Sequence, residues 1–251
     1  MTAINAIIKR KVAYLLTDTA VYDRDGIVRG FASKVMAVPH LGMAIATRGP
    51  YAMLGVLGSE VALEFSTFSD FVSRCPDFLR SFQDRHFNLF AEAGETEFDL
   101  VAVGWCEREQ ASYAVTISSR DYSETAGGSL PFTISRHVAA FGPSPTTEMF
   151  KSHSVRPGAL LSGDPETSLL KLAEIQRQAS WPIGSGGSAK GHIVGGGAIL
   201  AVVGEQGIQM RCVHRWPDTV GQKISLATEN VSSVVSRPAQ SVGSLFSQQS
   251  A

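Results

Sequence analysis

Apolar segments separated by short polar turns divide the first fifty residues into two pairs of strand candidates. Residues 3–9 and 12–21 are rich in Val, Ile and Tyr and are separated by a short basic turn, which predicts a strand pair. The segments VMAVP and MAIATRG predict a second pair joined across residues 40–42, and Asp25-Gly26 marks a turn between the two pairs. We therefore expect the amino-terminal region to consist of two hairpins.

The pattern changes to a helical period between Pro50 and Ala93. Apolar residues recur at spacings of three and four on both sides of Cys75-Pro76, which predicts two helices broken near that proline. Strands then resume with FDLVAVGWCE and SYAVTIS, joined by a hairpin around residues 108–110. The segment FTISRHVAAFG is a further strand candidate.

The remainder of the chain predicts one helix, two strands and a tail. Residues 143–163 have a loop-like composition, and a helix is expected from Asp164-Pro165 to about Ala179, because Asp suits the N-cap and Pro the first helical position. Residues 184–191 are predicted to be a flexible loop, and HIVGGGAILAVVG and IQMRCVHRW two buried strands. Eight of the last thirty residues are Ser. We therefore predict a domain over residues 1–221 and a poorly ordered or partner-docked tail over 222–251.

The order of these elements predicts a fold class. Strands, a helix pair, strands, a helix and strands follow one another along the chain. A doubly wound parallel sheet needs alternating strands and helices instead. The order therefore favours an α+β architecture of two antiparallel sheets flanked by helices.

Composition and charge argue against several function classes. Lys+Arg 22 against Asp+Glu 23 gives a net charge of −1, so no bulk field favours nucleic acid or an anionic membrane. No stretch approaches the roughly 18–20 apolar residues of a membrane span, and the amino terminus has no signal-peptide pattern. The three cysteines are far apart and lack metal-ligand spacing, which predicts reduced thiols and no metal site. The glycine runs do not form a phosphate loop, so we expect a cytoplasmic protein without a cofactor.

One arrangement near the amino terminus carries chemistry. Thr2 follows the initiator Met, and its small size permits methionine removal, which would place a hydroxyl nucleophile and a free α-amine on one residue. Asp18 follows Thr2 by 16 residues, and Lys34 follows Asp18 by another 16. A terminal amine titrates close to working pH and can therefore act as a base.

These residues and their neighbours resemble the proteasome β-subunit family of N-terminal-nucleophile hydrolases. The matching segments are LLTDTA (15–20), SKV (33–35), TRGP (47–50) and VGGG (194–197). The resemblance extends, with gaps, from Thr2 to about His214. It implies a four-layer αββα sandwich, hydrolysis of peptide or amide bonds, and a homo-oligomer that forms a ring or a larger assembly.

The resemblance also implies a role for each site residue. Thr2 Oγ would attack the carbonyl, its own amine would take the proton, and Lys34 would supply a nearby positive charge. Asp18 would hold Lys34 in place, and the backbone N–H of Gly49 would stabilise the oxyanion. In the second half, Ser129 is a candidate for the supporting serine.

Two departures from the family pattern keep a second hypothesis open. The region around Ser144, where the supporting serine is expected, has prolines on both sides, and no Asp stands near Gly195 where the family has one. The alternative is a catalytically silent protein with this fold that serves as a structural or assembly component of a large particle, such as a virion.

Overall fold

The computed structural model describes residues 2–124, 128–183 and 190–226. The strands are β1 Ile4–Lys9, β2 Val12–Asp18, β3 Ala20–Tyr22, β4 Val28–Phe31, β5 Val35–Val38, β6 Met43–Arg48, β7 Asp99–Cys106, β8 Ala111–Ser118, β9 Ser135–His137, β10 Ala139–Gly142, β11 Trp181–Pro182, β12 Lys190–Gly191, β13 Gly197–Gly204 and β14 Gly207–Arg215. The helices are α1 Met53–Glu64, α2 Phe68–Glu92, α3 Thr147–Ser152, α4 Pro157–Ser162 and α5 Pro165–Gln178, and a short 3-10 turn covers Pro39–Leu41.

Within the described residues, the strands form two five-stranded sheets and two two-stranded sheets, and every pairing is antiparallel. The first sheet has the order β10-β1-β2-β13-β14, and the second has the order β5-β6-β7-β8-β9. The pairs β3–β4 and β11–β12 form the small sheets. The predicted amino-terminal hairpin β1–β2 and the hairpins β5–β6 and β7–β8 are all present.

Apolar clusters hold the two large sheets and the helices together. One cluster contains mostly small residues from both large sheets, so the sheets can approach closely: Ile4, Ala6, Ala13, Leu15, Val35, Ala44, Ala46, Val101, Val103, Ala114, Ala201 and Val203. A phenylalanine-rich cluster joins α1 and α2 to the second sheet. A third cluster packs Leu169 and Ala173 of α5 against Ile7, Leu16 and Leu200 of the first sheet.

The predicted four-layer αββα sandwich is wrong. Strands account for 35% and helices for 31% of the described residues, and the strands are divided among several antiparallel sheets, so the fold is β-rich with few helices. The physical reason is that a five-stranded sheet is wider than a single helix packed on it. A helix is about 10 Å wide, whereas five strands spaced about 4.8 Å apart are more than twice that width. The single long helix α5 therefore leaves part of the first sheet without a helical layer, and most residues of β14 are exposed.

The predicted helix break at Pro76 is also wrong. Helix α2 continues through Pro76, and the chain breaks between Glu64 and Phe68 instead. An internal Pro costs about 3 kcal/mol, whereas each fully buried Phe or Leu contributes about 1.5–3 kcal/mol. Phe71, Leu79 and Phe82 are completely buried on one face of α2, so burial outweighs the proline. The Cys75 thiol also donates to the carbonyl of Val72, the group that Pro76 leaves without its usual donor.

Other sequence predictions differ in detail. FTISRHVAAFG contains two strands, because β9 pairs with β8 in the second sheet while β10 pairs with β1 in the first. Residues 143–163, expected to be a loop, contain α3 and α4. Helix α5 begins as predicted, with the Asp164 carboxylate accepting the Thr167 N–H. Of the predicted loop 184–191 only β12 is described, and residues 227–251 of the predicted tail lie outside the described residues.

Candidate functional site

Asp18 lies at the end of β2, completely buried, and its carboxylate is surrounded by donors. Oδ1 accepts the backbone N–H of Ala3 at 3.0 Å. Oδ2 accepts the backbone N–H groups of Ala20 at 3.2 Å and Gly195 at 3.4 Å. Lys34 Nζ donates to both oxygens, at 3.0 and 2.9 Å. Three backbone N–H groups and two hydrogen bonds from a lysine therefore satisfy this buried carboxylate.

Lys34 precedes β5, and its side chain is only 9% exposed. A buried ammonium is costly unless an opposite charge compensates it, and Asp18 supplies that charge. The Lys34 Nζ also lies 5.9 Å from the centre of the Tyr22 ring. The sequence prediction that Asp18 and Lys34 lie together therefore agrees with their observed contact.

Tyr22 of β3 lies beside this ion pair. Burial raises the pKa of the Tyr22 phenol well above its ordinary value, the Asp18 and Glu95 carboxylates raise it further, and the Arg48 guanidinium opposes them. The phenol is therefore neutral throughout the physiological range. These electrostatic effects act on the Tyr22 phenol from both signs of charge.

Thr2 is buried and lies two residues before the first residue of β1. The next amide, that of Ala3, donates to the same Asp18 carboxylate that binds Lys34. The register of β1 against β2 pairs Ile4 with Thr17, so continuing it by two residues brings Thr2 level with Thr19. The chain start is thus held beside the buried ion pair. We call Thr2, Asp18 and Lys34 the amino-terminal cluster.

Residues 194–197, which we call the glycine turn, contact this cluster from the carboxyl-terminal half. The Gly195 carbonyl accepts the N–H groups of Thr19 and Ala20, each at 3.1 Å. Thr19 Oγ1 accepts the N–H of Gly197 at 2.7 Å. Gly196 has φ +75°, and a Cβ there would lie 2.5 Å from Thr19 Oγ1, so glycine is required at this close approach.

Asp218 and Arg177 were not found by sequence reasoning. Arg177 of α5 forms a buried, bidentate ion pair with Asp218, with both N–O distances 2.8 Å. Asp218 Oδ2 also accepts the N–H of Gly196 at 2.7 Å. The carboxylate that contacts the glycine turn therefore belongs to a residue 22 positions after Gly196 in the chain. No local motif marks it, because the contact depends on how the segment after β14 returns to α5.

Gly49 and Ser129 lie in another group of contacts. Gly49 has φ +147°, and a Cβ there would lie 3.0 Å from Phe98 Cβ and 3.1 Å from the Glu97 carbonyl oxygen. The Ser129 carbonyl accepts the N–H of Tyr122, whose hydroxyl donates to Asp99 at 3.3 Å. Among the described residues, no hydrogen bond joins Gly49 or Ser129 to Asp18 or Lys34.

Metal-ligand clusters and membrane-spanning helices are both absent from the described residues. No group of three or more His, Cys, Asp and Glu side chains there is arranged to hold a metal ion. Over the same part of the chain, no helix combines the length and apolar character needed to cross a membrane. Cys75 and Cys106 are buried, Cys212 is exposed, and all three are free thiols.

Neither the models of known protein families nor the curated protein sequences match this chain.

Proposed function

We propose that this protein is a proteasome-like threonine-nucleophile hydrolase that cleaves peptide or amide bonds after removal of Met1. One observation carries the proposal. The buried carboxylate of Asp18 binds Lys34 and, at the same time, the amide that follows Thr2. A buried lysine is costly, and a use of its charge by a nucleophile on Thr2 would explain why it is kept.

The proposed reaction divides into acylation and deacylation. Thr2 Oγ attacks the substrate carbonyl, and the α-amine of Thr2 takes the hydroxyl proton. Lys34 favours the neutral, proton-accepting form of that amine through its positive charge. The C–N bond then breaks, and the leaving amine takes the proton from the Thr2 ammonium. Water hydrolyses the resulting ester by the reverse sequence of proton transfers and restores the hydroxyl.

Gly49 and Ser129 have supporting roles in this proposal. The backbone N–H of Gly49 is the candidate donor to the tetrahedral oxyanion. Ser129 is the candidate hydroxyl that orients the Thr2 amine. Gly49 follows Arg48, whose guanidinium contacts Asp99 at 3.5 Å, and Ser129 accepts from Tyr122, whose hydroxyl donates to Asp99. Substrate binding would have to bring this group of residues and the amino-terminal cluster to the same carbonyl.

The first test is the intact mass of the purified protein together with Thr2→Ala. We expect a mass that lacks Met1, hydrolysis of members of a fluorogenic peptide panel, and loss of at least about a thousandfold in kcat for Thr2→Ala, as for other removed nucleophiles. Thr17→Val is the matched control, because Thr17 Oγ1 is buried without a hydrogen-bond partner among the described residues. Hydrolysis that persists in Thr2→Ala, or Met1 retained in nearly all molecules, rejects the mechanism.

The proposal includes a homo-oligomer in the cytoplasm. β14 is a nine-residue edge strand with mostly exposed side chains, and such an edge can pair with another chain. The free thiols are typical of a reducing compartment. The same edge also favours the second candidate function, a silent component of a large assembly. Light scattering coupled to size-exclusion chromatography measures the oligomer, and an oligomer without Thr2-dependent hydrolysis would favour that second candidate.

A further inference from the structure

Asp218 and Arg177 lie outside the amino-terminal cluster but hold the glycine turn that contacts it. Their side chains are only 2% and 5% exposed. Asp218 accepts from both terminal nitrogens of Arg177 and from the backbone of Gly196. Arg177 also donates to the carbonyl of Val194 at 2.8 Å. The ion pair therefore fixes two neighbouring peptide groups of the turn.

The glycine turn also fixes the backbone of the residues that follow Asp18. The Gly195 carbonyl accepts from Thr19 and Ala20, the two residues that follow Asp18. The Gly195 N–H also donates to the Asp18 carboxylate. A displacement of the turn would therefore change both the backbone that carries Asp18 and one of the donors to its side chain.

We propose that Asp218 is a positioning residue for the threonine-dependent reaction. It holds Gly196 in place, Gly195 thereby holds Asp18, and Asp18 aligns Lys34 with Thr2. This inference rests on the proposed function. A purely stabilising role would depend on the ion pair with Arg177. The positioning role depends instead on an acceptor for the Gly196 N–H, and this need remains when the ion pair is removed.

Two double variants separate these roles. Arg177→Met with Asp218→Asn removes both charges but keeps a side-chain carbonyl that can accept the Gly196 N–H. Arg177→Met with Asp218→Ala removes the charges and the acceptor. Neither leaves an unpaired buried charge, so both are expected to fold, as judged by circular dichroism and thermal unfolding. Asp218→Asn alone provides a further comparison if one double variant does not fold.

We expect the Ala double variant to have a kcat about tenfold below that of the Asn double variant, because small misplacements of reacting groups slow a reaction strongly. KM should agree within about twofold, since substrate contacts are unchanged. In the Ala double variant, the acidic limb of the pH profile of kcat should move to higher pH. The reason is that a displaced Lys34 favours the neutral form of the Thr2 α-amine less. Hydrogen exchange at the amides of Ala3 and Ala20, both donors to Asp18, should be faster in the Ala double variant.

Glu166→Gln is the control, because Glu166 of α5 also pairs with an arginine, Arg211, but at the surface. It should match the wild type in kcat, pH profile and exchange. Equal kcat, pH limb and amide exchange in the two double variants, with Thr2→Ala inactive, would overturn the positioning role and leave the proposed function standing. Hydrolysis that survives Thr2→Ala overturns both.

Discussion

The two buried ion pairs among the described residues differ in how their charges are shared. Asp18 and Lys34 are 16 residues apart in sequence, whereas Arg177 and Asp218 are 41 apart. Both described hydrogen bonds of the Lys34 ammonium go to Asp18. Arg177 also donates to the carbonyls of Val194 and Ser225, so its charge has several acceptors.

This difference suggests different uses for the two cations. A guanidinium presents a planar set of donors and can fasten several groups, which is what Arg177 does. An ammonium is a compact point charge that is expensive to bury. The described hydrogen bonds of Lys34 Nζ all go to Asp18, so a structural role alone explains the cost of burying it poorly. The proposed reaction would give this charge a chemical use at Thr2.

The largest stability effect is expected for Asp18→Ala. It leaves the Lys34 ammonium buried without its acceptors, which should lower the free energy of unfolding by about 3–5 kcal/mol. Chemical denaturation measures this loss. A second variant, Asp18→Asn with Lys34→Met, removes both charges and should recover most of the stability without hydrolytic activity. A loss below about 1 kcal/mol for Asp18→Ala, typical of exposed pairs, would contradict the buried pair.

A smaller effect is expected for Asp218→Ala. Arg177 keeps the carbonyl acceptors of Val194 and Ser225 and the neighbouring ring of Trp216, so its charge is partly compensated. We expect a loss of about 3 kcal/mol, at the low end for a broken buried pair. Parallel denaturation curves of Asp218→Ala and Asp18→Ala give the comparison directly. The reverse order of stability would show that the carboxyl-terminal pair is the more costly one to break.

Alkaline pH gives a third comparison. Burial and the Asp18 charge raise the pKa of Tyr22 in the folded protein, whereas an unfolded tyrosine titrates near pH 10. Above that pH the unfolded state loses a proton that the folded state keeps, so stability falls as pH rises. Tyr22 should contribute about 1 kcal/mol of this loss at pH 11. Tyr22→Phe should therefore lose less stability than the wild type between pH 9 and about pH 11, and equal losses would contradict the pKa shift.

The smallest effect is expected at the surface pair of Arg211 and Glu166. Both side chains are substantially exposed, so solvent and salt screen their attraction. Arg211→Ala should change the free energy of unfolding by less than about 1 kcal/mol. Chemical denaturation at low and high salt measures this change. A loss above about 1 kcal/mol that does not depend on salt would show that this pair behaves like the two buried pairs.

Much of the local structure could be predicted from the sequence, because it depends on neighbouring residues. The Val, Ile and Tyr content of residues 3–9 and 12–21 and the short basic turn between them are sufficient to predict the hairpin β1–β2. Asp164 and Pro165 mark the start of α5 through local capping chemistry. The contact between Asp18 and Lys34 was instead an implication of the family resemblance, because no local rule joins the end of β2 in the first sheet to the residue before β5 in the second.

The layer arrangement and the distant half of the site could not be predicted in this way. Helix α2 passes Pro76 because its phenylalanines find a buried surface on the second sheet, a gain that no local window contains. The split between β9 and β10 depends on two pairing partners that are far apart in sequence. Asp218 reaches the glycine turn only after the chain has formed β13 and β14 and returned to α5.

The sequence by itself determined the strand pairs and the start of α5, because short-range periodicity and capping act within a few residues. The tertiary structure alone decided how the sheets are divided and covered, and which residue accepts the Gly196 N–H. Those outcomes depend on burial and charge compensation between segments that meet only in the folded chain.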